Sequence, residues 1–220
     1  RPGAAPVEAD DEIARVVPVV ARLRPLTDAL ISVDTRRAAT AERALDAGAD
    51  IVNDVSALSD SRMAEAIARA GAGVVLMHMK GTPATMQTSP TYEDVVEEVK
   101  RHLARAVERA ESSGISSESI LVDPGIGFGK TVQHNLRLLH DLPRLSELEK
   151  PILVGTSRKT FLGRIVPGAA EDRLFPTAAS VACAILLGAS VVRVHDVGKM
   201  REVAAVADAI RSQRLPERAR

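Results

Sequence analysis

The sequence predicts an α/β fold of the TIM (β/α)8 barrel type, truncated here to about six strands plus helices. Three observations predict it: strand-like and helix-like stretches alternate along the chain, each strand-like stretch ends at a polar side chain, and the opening helix has no strand before it. Strict alternation implies a parallel sheet with right-handed crossovers. A full barrel needs eight strands and typically about 250 residues, so six strands in 220 residues lead to the expectation that the first two strands are missing. An open doubly wound sheet is the rival, since it accommodates six strands with no missing segment.

The elements follow in order. Arg1-Pro2-Gly3-Ala4-Ala5-Pro6 lacks an initiator Met and reads as a loop. From Val7 to Leu23 the residues Ile13, Val16, Val17, Val20 and Leu23 recur at helical spacing, with Pro18 an expected kink. Strand starts are expected at Leu30, Ile51, Val74, Ile120, Ile152 and Val191. Between them lie helices at Arg37 to Ala47, capped by Gly48, at Ser61 to Ala70 and at about Tyr92 to Glu111. The Tyr92 helix carries Val95, Val96, Val99, Leu103, Ala106 and Val107 as one packing stripe. Thr177 to Leu187 and a closing stretch to about Arg211 complete the helices.

Composition narrows the function. Hydrophobic residues make 45% and charged residues 26% of the chain, ordinary for residues 1–220 forming a single globular domain. Lys+Arg and Asp+Glu both total 29 and aromatics make only 2%, so neither net charge nor stacking surface favours nucleic acid. No stretch reaches the roughly 18 apolar residues of a membrane span. One cysteine, Cys183, excludes an internal disulfide, suits a cytoplasmic protein, and reads as a small core residue.

Asp34, Asn53, His78, Asp123, Lys159 with Ser157, and Arg193 with His195 fall at or just past the strand C-termini. One such residue is readily a turn former or helix cap. Six sets together point to a shared pocket, because strand ends converge on one mouth in a barrel. Two carboxylates and an amide suit the N–H-rich edge of a flat heterocycle, whereas Lys159, Arg193 and His195 suit an anionic tail such as a phosphate or pyrophosphate.

The loop Gly125-x-Gly127-x-Gly129-Lys130 resembles a P-loop, but Pro124 stands where the first required glycine belongs. Its expected use is close backbone approach, with Phe128 as an apolar wall. Lys130 reads equally as a loop cation or as solvated surface. His102, His134 and His140 read as surface residues, and neither histidine spacing nor a lone cysteine makes a metal cage.

In order, Arg1-Pro2-Gly3-Ala4, Ser32-Val33-Asp34-Thr35, Asn53-Asp54-Val55-Ser56, Leu76 to Pro83, Asp123 to Thr131, Gly155 to Lys159 and Arg193 to Val197 resemble the dihydropteroate synthases, pterin-binding TIM barrels of folate biosynthesis. The resemblance covers essentially the whole chain. It implies a transferase joining 7,8-dihydropterin pyrophosphate to p-aminobenzoate, with release of pyrophosphate before the amine attacks. It implies Asp34, Asp123 and Lys159 as catalytic and Asn53, Met77 and Gly155 around the pterin. Pro2, Phe128, Lys159 and Thr160 would border p-aminobenzoate, and Arg1, Arg193 and His195 would hold the pyrophosphate. Mg²⁺, competition by sulfonamides and a homodimer built on C-terminal helices are further implications.

Two departures stand out. The family's first two strands, with the loop Asn that helps bind metal, do not precede Arg1, so the metal site is expected to be incomplete. Phe175-Pro176 replaces an expected acid and glycine, and Pro176 fits a helix start. The alternatives are a pterin-binding methyltetrahydrofolate corrinoid methyltransferase, disfavoured because a methyl donor carries no pyrophosphate for Arg193 and His195, and an inactive truncated barrel that needs a partner.

Overall fold

A computed structural model describes residues 7–82, 84–168 and 172–215. Arg1 and Pro2 lie outside these residues. Six strands are described: β1 Ser32–Asp34, β2 Ile51–Asp54, β3 Gly73–Met77, β4 Ile120–Asp123, β5 Leu153–Val154 and β6 Val191–Val192. The helices are α1 Ala9–Leu23, α2 Ala38–Asp46, α3 Met63–Ala70, α4 Val95–Ser112, α5 Val132–His140, α6 Thr160–Ile165, α7 Leu174–Leu186 and α8 Val197–Ser212.

Every strand pair is parallel. Strands β1 to β4 form one ladder, β5 pairs with β6, and a bridge between Val122 and Ile152 joins the two groups in sequence order. This order decides against the doubly wound rival, whose strand order reverses at a switch point. A flat sheet of six strands would span five gaps of about 4.8 Å, roughly 24 Å. Yet Arg193, just past β6, reaches Asp34 at the end of β1 at 2.5 Å. The sheet therefore curls until its outer described strands face one another across the mouth, as in a barrel.

Alternation along the strands sorts side chains to two faces. Val52, Val74, Leu76, Ile120, Val122, Ile152 and Val154 join the buried layer under the helices. Asn53, Val75, Met77, Leu121 and Asp123 fall on the other face, inside the curl. The packing stripe of α4 is buried along its length, from Val95 to Ala110, against this outer layer. Leu103 is fully buried, so shortening it to Ala would cost on the order of 2–5 kcal/mol.

The boundaries shift for local reasons. Leu30 is 73% exposed, and β1 begins only at Ser32, because the Ile31 backbone is engaged by Asp50: its N–H donates to the Asp50 carboxylate at 2.7 Å. The α4 helix starts at Val95, where the Asp94 side chain accepts from the Val96 and Glu97 N–H groups. Pro18 does not end α1, since the ring lies on the exposed face and the carbonyl it deprives of a partner can turn to water. Phe175-Pro176 sits in the first turn of α7, where Pro forfeits no helical bond.

Cys183 corrects the sequence expectation. It is exposed, because Val181 and Ile185 face α8 and Ala184 faces the main core, leaving position 183 outside.

Candidate active site

The parallel register sets the floor of the mouth. Asp34 lies opposite Asn53, and Met77 opposite Asp123. The Asn53 amide donates to Asp34 Oδ1 at 2.8 Å, while Asp34 Oδ2 takes the Arg193 guanidinium. Asn53 is 4% exposed, and its Oδ1 accepts from no donor among the described residues. A buried acceptor left unsatisfied costs on the order of 1–3 kcal/mol, which a ligand N–H would recover.

Asp123 is buried, and burial pushes its carboxyl up to about 6. The Gly125 N–H donates to Asp123 Oδ1 at 2.7 Å and favours the carboxylate, as do Lys159, Lys130 and Arg193 at longer range. Met77 is buried beside it. Three acceptor groups thus lie at the ends of β1, β2 and β4 of one sheet, two of them with little access to solvent.

The loop after β4 approaches the neighbouring backbone closely, as the glycine spacing implied. Gly125 has φ +68°, and a Cβ there would meet the His78 carbonyl oxygen at 1.9 Å. At Gly129, φ +63°, a Cβ would lie 2.4 Å from the Lys80 carbonyl oxygen. No other residue fits either position. Phe128 carries the Lys159 ammonium 4.0 Å from its ring centroid, a cation–π contact at the rim of the mouth. Burial lowers the pKa of Lys159 and the Asp123 charge opposes the shift.

On the opposite rim Ser157 Oγ lies 2.9 Å from His195 Nδ1 and accepts from the His195 N–H at 3.2 Å. Arg158 turns away and forks onto Asp196 with both contacts of its Nη2 at 3.0 Å. Arg193 and His195 remain exposed at the mouth, Gly155 lies against Arg193, and Thr160 opens α6 in solvent.

The structure decides the open reading of Lys130 and corrects that of His102. Lys130 is 3% exposed, not solvated. His102 packs edge-on against His78 with centroids 4.9 Å apart. His134 closes a capping box with Thr131 at the start of α5. His140 does stand in solvent.

Sequence reasoning also passed over Asn135, whose Oδ1 accepts from the Gly127 N–H at 2.7 Å and whose amide donates to the Thr131 carbonyl. Nothing local marked it, since a mid-helix Asn ordinarily faces water. A hollow of about 760 Å³ lies behind the β3–α4 connection, between His78, Lys80, Tyr92, Arg101 and Arg105. It shares only His78 with the strand-end set and is not where the acceptors converge.

A curled parallel sheet whose strand ends gather acceptors at one side and cations at the other defines a barrel enzyme acting on a small molecule with a polar ring and an anionic part. Residues 1–195 match the pterin binding enzyme family. The dihydropteroate synthase of Synechocystis is 42% identical over 96% of this chain and 73% of its own length. That of Escherichia coli K12 is 40% identical over 99% of this chain and 77% of its own. The solved structure of the Yersinia pestis dihydropteroate synthase with a sulfonamide drug complex superposes with TM-score 0.93 at 40% identity, covering 96% of this chain and 77% of that one. The Xanthomonas albilineans enzyme with 4-aminobenzoic acid gives 0.91 at 40% identity over 98% and 77%. The chain belongs to the dihydropteroate synthase family.

Proposed function

We propose that the chain condenses 7,8-dihydropterin pyrophosphate with p-aminobenzoate, giving 7,8-dihydropteroate and pyrophosphate, as one pterin-binding barrel domain. The observation that carries this reading is the buried acceptor set of Asn53 and Asp123 beside Asp34, facing the cations Lys159 and Arg193. Asp123, Asp34 and the unpartnered Asn53 Oδ1 accept from the pterin N–H edge, with Met77 and Gly155 bordering the ring. Arg193 and His195 take the pyrophosphate, and Phe128, Lys159 and Thr160 border p-aminobenzoate.

The reaction begins as the methylene carbon–oxygen bond breaks and its electron pair leaves with pyrophosphate. The carbon left behind is cationic and conjugated with the ring. Asp34 and Asp123 stabilise that charge only once it has formed, so their effect falls on the barrier and not on substrate binding alone. The p-aminobenzoate nitrogen then bonds to the carbon and sheds a proton. Arg193 favours departure by neutralising the leaving group, for which it exchanges its Asp34 partner for phosphate oxygens.

Among the described residues no group of three His, Cys, Asp or Glu side chains is placed to hold a metal ion. The described groups do not make a magnesium cage. Mg²⁺, which commonly binds through substrate phosphates, would arrive on the pyrophosphate.

Sulfonamides are proposed to compete with p-aminobenzoate at Phe128 and Lys159; the Yersinia pestis relative is solved with such a drug. A homodimer is proposed through α8, whose outer face exposes Val206 by 62% and Ile210 by 61%. No described helix is long and apolar enough to cross a membrane, and a free exposed thiol at Cys183 suits the reducing cytoplasm.

The test is formation of dihydropteroate by the purified chain from the two substrates, monitored through the pyrophosphate released. No product at saturating substrate, from a chain shown to be folded, would sink the proposal.

A further inference from the structure

Among the described residues Lys130 is the one buried lysine, and the reaction above does not use it. Its side chain folds back beneath its own loop. The ammonium lies 2.9 Å from the Gly125 carbonyl oxygen, 2.9 Å from that of Phe128, 3.3 Å from that of His78 and 3.0 Å from His78 Nδ1. An ammonium has three donors and no acceptor. His78 must therefore offer the Nδ1 lone pair and carry its proton on Nε2. Burial together with the Lys130 charge keeps that imidazole neutral, its pKa lowered to about 2.

These contacts join three points of the site. His78 follows β3 directly after Met77, and its N–H donates to the Asp123 carbonyl at 3.0 Å. Gly125 supplies the N–H held by the Asp123 carboxylate. Phe128 is the ring beneath Lys159. Among the described residues the Phe128 carbonyl is held by this cation alone and that of Gly125 by it and the Phe128 N–H at 3.0 Å, while Gln87 and Tyr92 donate to the carbonyls of Gly127 and Gly129. An uncharged polar side chain could fill part of that role, but it would not set a positive charge behind a buried carboxylate.

We propose that Lys130 is a positioning residue for the pterin site: its charged ammonium fixes the Gly125–Phe128 loop against β3 and holds Asp123 in the ionised, accepting form. This rests on the reading of Asp123 as the pterin carboxylate. The charged and titratable groups facing Lys130 are Asp123 on β4, Lys159 past β5, His78 past β3, His102 on α4 and His134 on α5. Among them Asp123 is the one anion, and the attraction is mutual: it raises the Lys130 pKa against the burial that lowers it to about 7.

The experiment follows the Asp123 carboxyl by carbon NMR through pH 4 to 9 in the wild-type chain, in Lys130→Gln and in Lys130→Arg. The midpoint is expected to rise by roughly one unit in the Gln variant, as for loss of a nearby opposite charge, and to stay in place in the Arg variant. The acid limb of kcat/KM for dihydropterin pyrophosphate is expected to move with it. A folded Lys130→Gln with an unmoved midpoint overturns the proposal. If the variants do not fold, nitrogen NMR of wild-type His78 decides: a proton on Nε2 supports the arrangement and a proton on Nδ1 overturns it. Asp123→Asn separates the two readings, because full turnover in that variant removes the pterin role of Asp123, while the carboxyl titration in the wild-type and Lys130→Gln chains still reports on Lys130.

Discussion

The two halves of the mouth are built differently. On the β1–β4 side the strands form a continuous ladder, and the functional groups Asn53 and Asp123 are held at 4% and 7% exposure by register and burial. On the β5–β6 side the strands have two residues each and join the rest through one bridge. There Arg193 is held by an ion pair to Asp34 with side-chain exposures of 56% and 50%. The buried half can fix the plane and edge of a ring, because its acceptors have little freedom and no competing water. The exposed half can accept and release a charged group, because an ion pair in water is easily exchanged. In the proposed reaction, recognition of the pterin and departure of pyrophosphate fall to the halves suited to each.

The comparison can be broken most directly at Lys159, which lies past β5 but leans on Phe128 of the other half. Lys159→Ala removes a cation from beside the proposed position of the reacting carbon and is expected to lower kcat/KM by about a hundredfold or more, the scale of losing one preorganised electrostatic contact. Steady-state turnover with near-normal melting would confirm the effect as chemical, and near-normal turnover would make Lys159 peripheral.

A smaller effect tests the buried half through pH. The Asp123 carboxyl lies near 6, above its ordinary value, so its carboxylate is complete above that pH and is lost as pH falls through it. Pterin affinity, read by calorimetry, is expected to weaken below about pH 6. Affinity that stays level to pH 5 would show that the neutral acid serves as well.

The exposed half is tested by Arg193→Ala. Its pair with Asp34 is open to solvent, so melting is expected to drop by no more than about 1 kcal/mol in stability, while KM for the pyrophosphate substrate rises. A large stability loss would mean that the pair closes the sheet more than it serves the substrate. The smallest effect on chemistry is expected from Ile210→Glu on the outer face of α8. Sedimentation should show a shift toward monomer with turnover per chain retained; an unchanged state would place any dimer contact elsewhere.

Much of this was legible in the residues. The α4 stripe from Val95 to Val107 buries as its spacing implied, because helical period and the need to cover apolar surface are both local facts. The alternating glycines after Asp123 announced close backbone contact, and Gly125 and Gly129 make it. The exposure of Cys183 and the burial of Lys130 were not legible. Each depends on which neighbour covers which face, and a single apolar run or a lysine after a loop is compatible with either outcome.

By itself, the sequence determined the succession of parallel strands, the polar residue at each strand end and the family, since these rest on periodicity and on ordered motifs within the chain. Only the tertiary structure decided that Arg193 meets Asp34, that Asn53 Oδ1 is left without a donor and that Lys130 gathers three carbonyls beneath Asp123. Those contacts join residues up to 159 positions apart, and only the curl of the sheet sets which distant strand ends come within bonding distance.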